Sequence, residues 1–144
     1  MNYKNTQIGT LIIYVLFGII LLYGFIFFQG GISNLIIVTM VFVLLILISF
    51  VTLTITIDQT NLQIKFGYGI YKKKFPLQEI ISAKSVKNKW YYGWGIRYWF
   101  WPKMRIFNVS GFDAVEIHMK NKTIYRIGTD EPQKLESVIL QSIK

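Results

Sequence analysis

Charged positions are missing from the first third of this chain after its opening residues. Between Lys4 and Asp58 lie 53 positions without a single Asp, Glu, Lys or Arg, rich instead in Ile, Leu, Val and Phe. A run of that length has lipid for its solvent, because a surface facing water would carry charge. It contains two apolar segments. Residues 8–28 would form a helix about 31 Å long at about 1.5 Å per residue. Gln29-Gly30-Gly31-Ile32-Ser33-Asn34 interrupts it with polar residues and two glycines. The second apolar segment covers residues 33–50, about 16 to 19 residues of helix and at the short end of the spanning range. From Val51 the period changes. Val51, Leu53, Ile55 and Ile57 alternate with Thr52, Thr54, Thr56 and Asp58, the pattern of a strand.

The first segment is too long for the apolar region of a secretory signal, and no small-residue cleavage site follows it. The N-terminus also lacks the Arg-rich amphipathic stretch of a mitochondrial presequence. The loop between the segments has no Lys or Arg. The part from Asp58 onward holds 15 of the 16 Lys+Arg and all 7 Asp+Glu, a net of +8. With Lys4 on the other flank, the positive-inside rule predicts a helical hairpin with both termini in the cytoplasm of a cell (inner) membrane. The expected domains are therefore a transmembrane hairpin at 1–50 and a cytoplasmic domain at 51–144. Cysteine is absent, which excludes disulfides without identifying a compartment.

Within residues 51–144 the alternation continues. Asp58-Gln59-Thr60-Asn61 is a turn signal, and Leu62, Ile64 and Phe66 mark a second strand. Gly67-Tyr68-Gly69 turns the chain into a third, Ile70 to Phe75, which Pro76 ends. Ile80 to Val86 and Arg105 to Val109 read as further strands, with an aromatic segment between them. Val115, Ile117 and Met119 alternate with Glu116, His118 and Lys120, and Thr123 to Ile127 completes the series. The period then becomes helical. Asp130 with Gln133 three residues later suggests a cap, Pro132 suits the first turn, and Leu135, Val138, Ile139 and Ile143 form one apolar face. The expected order is about seven antiparallel strands in a partly open barrel, closed by one C-terminal helix.

That order, together with Tyr92-Gly93-Trp94-Gly95-Ile96-Arg97, Asn108-Val109-Ser110-Gly111, Ala114-Val115-Glu116-Ile117 and Arg126-Ile127-Gly128-Thr129-Asp130-Glu131-Pro132, resembles small prokaryotic membrane proteins. These have two N-terminal spans and a pleckstrin-homology-like (PH-like) cytoplasmic domain. The resemblance covers nearly the whole chain and implies architecture. It does not extend to phosphoinositide binding, because the spaced Lys/Arg-x-Arg element of eukaryotic PH domains is missing.

The most unusual segment runs from Trp90 to Trp101. Eight of its twelve residues are aromatic, and it holds all four Trp. Trp90, Tyr91, Trp94, Arg97, Tyr98, Trp99 and Trp101, with Lys103 and Arg105 just beyond, are the candidate membrane or partner contacts. Tyr and Trp favour the headgroup region, and cations there gain from anionic lipid. The same residues could instead fill a barrel core or anchor another membrane protein. Lys72, Lys73 and Lys74 are either the guard of an edge strand or contacts for anionic headgroups.

Other chemistries find little here. Positive-inside topology accounts for the basic excess, and no RNP-type or helix-turn-helix pattern points to nucleic acid. The single His, His118, lies on the polar side of its strand. With Glu116 it would need a third ligand to hold a metal. No Ser/His/Asp set, phosphate loop or cofactor motif is evident, and the small residues of the spans form no GxxxG motif. The expected function is non-enzymatic, without a cofactor. The domain would bind anionic lipid headgroups at the cytoplasmic membrane face, or serve as an adaptor or accessory subunit for a membrane-protein partner. Homo-oligomerisation is also open.

Overall fold

The computed structural model describes residues 2–144. Its first element was not anticipated. Tyr3–Ile8 is a strand, β1, which precedes the apolar helices α1 (Thr10–Phe28) and α2 (Asn34–Ile48). Neither helix has a buried residue, so the rest of the chain offers them no apolar cover. α1 is long and apolar enough to cross a membrane, with a mean hydropathy of 2.8, whereas α2 has 15 residues and is shorter than expected. Ser33 opens α2 by accepting a hydrogen bond from the Ile36 N–H.

Three residues separate α2 from β2 (Thr52–Ile57), so no flexible linker intervenes. β3 (Asn61–Phe66) and β4 (Tyr71–Pro76) follow as a meander, and β1 pairs antiparallel with β2 to complete a four-stranded sheet, β1-β2-β3-β4. Ile8 lies opposite Thr52, and the Gly9 N–H bonds the Val51 carbonyl. The two apolar helices are thus an insertion in the loop of a β-hairpin. Residues 3–8 belong to the same sheet as β2, β3 and β4.

The second sheet has the order β5-β8-β9-β7-β6, from β5 (Ile80–Lys87), β6 (Gly95–Phe100), β7 (Lys103–Asn108), β8 (Asp113–Met119) and β9 (Ile124–Gly128). β7 and β9 run parallel, and every other pair is antiparallel. The described residues therefore form nine strands, where about seven, all antiparallel, were expected. The extra two are β1 and β6, the second of which lies within the aromatic segment.

Between the sheets, Leu53, Ile55, Ile57, Ile64 and Phe66 face Phe107, Val115, Ile117 and Ile127, all without solvent exposure. Phe107 is central to this layer, with Phe66, Tyr71, Phe75 and Tyr125 at ring-centroid distances of 5.9 to 6.5 Å. The C-terminal helix α3 (Pro132–Ser142) sends Leu135 and Ile139 into the same core. Its expected Asp130–Gln133 cap does not form. Glu131 is the N-cap residue, and its carboxylate accepts from Tyr3 Oη and Asn5 Nδ2 of β1 instead. Burial first, and the Glu131 carboxylate second, hold the Tyr3 phenol well above its ordinary pKa. One turn further along α3, Glu136 accepts the Ser85 N–H of β5. α3 therefore joins one edge of each sheet.

Candidate functional site

The points where α1 and α2 leave the sheet define a root end of the domain. Gly9 fits there against Val109, and an added Cβ would stand 2.9 Å from the Val109 carbonyl oxygen. Gln7 Nε2 donates to the Ser110 carbonyl at 3.0 Å, and Thr10 and Ser110 share a hydroxyl hydrogen bond. The β3–β4 turn belongs to the same end. Gly67, with φ of +49°, brings the turn against the Ser49 backbone, where a side chain would collide. Tyr68 Oη donates to the Leu45 carbonyl.

This end presents Tyr68, Ile70 and Phe112, all exposed, with Trp94 packed 6.0 Å from Phe112. Lys65 and Lys72 face each other across β3 and β4 and lie against Gly69 of the turn. The three consecutive lysines thus separate. Lys72 and Lys74 are exposed on the outer face. Lys73 turns inward, its ammonium 5.0 Å from the Tyr125 ring centre. β4 is an edge of its sheet.

The aromatic segment does not act as one surface. From Asn88, whose N–H bonds Phe112 at the root end, the chain makes a single turn of 3₁₀ helix at Trp90–Tyr92. Tyr92 is only 7% exposed and packs with Met104, Ile106, Trp99 and Ile124 on the outer face of the second sheet. Tyr91 stacks near Trp99, and Trp90 projects outward. Gly93, with φ of +70°, returns the chain to the root end at Trp94. β6 then runs to the opposite end, about 17 Å away at about 3.3 Å per residue. There Phe100 is 79% and Trp101 90% exposed. Arg97 donates to the Trp94 carbonyl and Arg105 lies over the Tyr98 ring, while Lys103 is exposed at the start of β7. Of the nine aromatic and basic residues singled out in sequence, Trp94 stands at the root end with the Arg97 side chain folded back onto its carbonyl.

At the far end, Tyr98, Lys103, Arg105, Asn121, Lys122 and Thr123 line a cavity of about 430 Å³. Lys122, in left-handed conformation, and its neighbours were not recognisable from the sequence as part of any site. They reach this cavity only through the parallel pairing of β7 and β9.

A third cluster occupies the outer face of the second sheet. Glu116 receives Arg126 Nε at 2.7 Å and contacts His118 Nε2 at 2.8 Å, and Arg126 also reaches Asn88 and covers the Tyr92 ring. His118 is thus engaged with a carboxylate rather than simply exposed. Among the described residues no group of three His, Cys, Asp or Glu side chains could hold a metal. Burial alone would raise the Glu116 pKa. The hydrogen bonds from His118 and Arg126 outweigh it and hold the carboxyl below its usual value. The stabilisation is therefore present above the unfolded-state pKa and is lost as pH falls through the folded one. Glu116→Gln should cost about 1 kcal/mol at neutral pH. In urea unfolding, the difference from wild type should shrink as pH falls below the ordinary carboxylate range. A difference that does not shrink there would refute the ionic origin.

Comparison with protein-family models and with curated proteins gives no match for this chain.

Proposed function

We propose that this chain is a two-span, non-enzymatic membrane protein whose PH-like domain holds anionic lipid headgroups at the cytoplasmic face through its root end. One observation carries the reading. The helices leave the sheet without a linker at the same end that presents Tyr68, Ile70 and Phe112, with Trp94 packed on Phe112 and Lys65 and Lys72 directly behind. Exposed Tyr68, Ile70 and Phe112 backed by lysines suit the boundary between acyl chains and charged headgroups, where each cation gains about 1 kcal/mol.

The pairing of β1 with β2 supports the hairpin topology. If α1 crosses the bilayer, the chain must cross back before Thr52 can pair with Ile8. α2 and the residues around it are the segment available for that return, although a 15-residue helix spans only about 22 Å. The four-stranded meander, the second sheet and the C-terminal helix support the PH-like reading. The parallel β7–β9 pair and the strand before the hairpin are departures from it. Cytoplasmic orientation rests on the distribution of Lys and Arg.

The absence of cysteine makes the test direct. A fluorophore attached to an Ile70→Cys variant of the full chain, in vesicles, should be quenched more by nitroxide-labelled phosphatidylglycerol than by nitroxide-labelled phosphatidylcholine. High salt and the Lys65→Gln/Lys72→Gln double substitution should each remove that preference. Equal quenching by the two lipids at low salt would defeat the headgroup reading.

A further inference from the structure

Two open sheets have four edges, and an uncovered edge is a template for another strand. Three of the four are managed. β1 is tied by Tyr3 and Asn5 to Glu131 and by Gln7 to Ser110. β5 runs beside α3 and gives its Ser85 N–H to Glu136. β4 carries Lys72 and Lys74, both exposed on its outer face. β6 has no covering element, and its single cation, Arg97, is turned back onto the Trp94 carbonyl. Its partner β7 occupies one side, and among the described residues no element pairs with the other.

The side chains of β6 are also those of a contact surface. Ile96, Tyr98 and Phe100 share one face, all exposed, and Tyr98 meets Phe100 edge-to-face at 5.0 Å. Trp101 extends the apolar surface at the tip. The charge around it has one sign. From Ile80 to Phe112 there is no Asp or Glu, while Lys84, Lys87, Lys89, Arg97, Lys103 and Arg105 all lie within that interval. Lys103, Arg105 and Lys122 converge on the far-end cavity.

These features select among occupants. Lipid of the bilayer that holds α1 is disfavoured, because the tip is at the end of the domain opposite the helix roots. A second copy would set this acid-free, uniformly cationic interval beside another of the same sign, which is electrostatically unfavourable. An extended acidic segment satisfies both the unpaired backbone and the cations.

We propose that β6 is a docking edge for an extended acidic segment of a partner protein, which adds to the sheet as a sixth strand. Main-chain hydrogen bonds to Gly95–Phe100 would supply the affinity. Apolar residues at alternate positions would cover Ile96, Tyr98 and Phe100, and carboxylates would enter the cavity of Lys103, Arg105 and Lys122. This inference uses the far end of the domain and stands apart from the headgroup reading of the root end.

The test uses the full chain in nanodiscs of neutral lipid, with synthetic probes. An alternating Glu-Val octapeptide should bind at least tenfold more tightly than its Lys-Val counterpart. N-methylation of alternate amides along one edge of the Glu-Val peptide should weaken binding at least tenfold, since it removes strand-pairing donors and leaves the protein untouched. Lys103→Gln/Arg105→Gln should also weaken it, whereas Lys72→Gln/Lys74→Gln should not. The proposal is overturned if neither peptide binds, if the N-methylated peptide binds equally well, or if an oligouridylate binds in preference to the Glu-Val peptide.

Discussion

A fragment beginning at Val51 is expected to be largely unfolded, whereas joining Gly9 directly to Val51 through an Asn-Gly turn should yield a folded domain. β1 is the reason. Six residues pair in register with β2, from Tyr3 opposite Ile57 to Ile8 opposite Thr52. Losing that ladder removes several hydrogen bonds worth about 1 kcal/mol each, and losing the buried Tyr3 removes about 2 kcal/mol more. It also strips Glu131 of two donors and leaves the Ser110 carbonyl without Gln7. The total, about 5 kcal/mol or more, is comparable with the entire stability of a small domain. The joined chain keeps all of these contacts, because Gly9 and Val51 already hydrogen-bond where a two-residue turn would close the hairpin. Circular dichroism and urea unfolding of both proteins decide the matter. Equal unfolding midpoints would mean that β1 is an accessory to the fold rather than part of it.

The failure to read β1 from the sequence has a physical cause. Strand recognition depends on apolar residues recurring with period two. In β1 the inward positions are Tyr3, Asn5 and Gln7, while Ile8 points outward and Lys4 resembles an ordinary charged flank. The polar inward side chains are held by partners more than 100 positions away, at Ser110 and Glu131, and no local pattern encodes such contacts. β2, β3 and β8 were legible because each alternates against an apolar core on one face. β6 was hidden in a segment whose aromatics lie on both faces of an edge strand, leaving no alternation to detect.

The candidate site was legible as composition but not as geometry. The concentration of Trp, Tyr and Arg around residues 90–105 was plain in the sequence. Gly93 then reverses the chain, and β6 carries Trp94 and Trp101 to opposite ends of the domain. Residues adjacent in sequence therefore face different surroundings. The converse holds for Tyr68, Ile70 and Phe112, which looked unremarkable until the helix roots placed them on one rim. The Lys72–Lys74 run divides for a simpler reason. Successive strand residues alternate faces, so the middle lysine points where its neighbours do not.

Phe107→Ala should produce the next largest loss, about 3 to 5 kcal/mol. Phe107 is fully buried and is the ring on which the two sheets meet. Tyr125 stacks on it from its own sheet, while Phe66, Tyr71 and Phe75 approach from the other. Truncation removes a whole phenyl ring from that junction and opens a cavity that backbones paired on both sides cannot close. Its neighbour in register, Ile127, is also fully buried and cannot move in without leaving its own place. Phe107→Leu keeps most of the volume and should cost about half as much or less. Near-UV circular dichroism of the full chain in detergent, followed through urea unfolding, reads both variants against wild type. Because the loss arises between the sheets, the aromatic signal should disappear in a single transition at a lower midpoint. If Phe107→Ala shifted that midpoint no more than Phe107→Leu, the ring would not be the element that joins the two sheets.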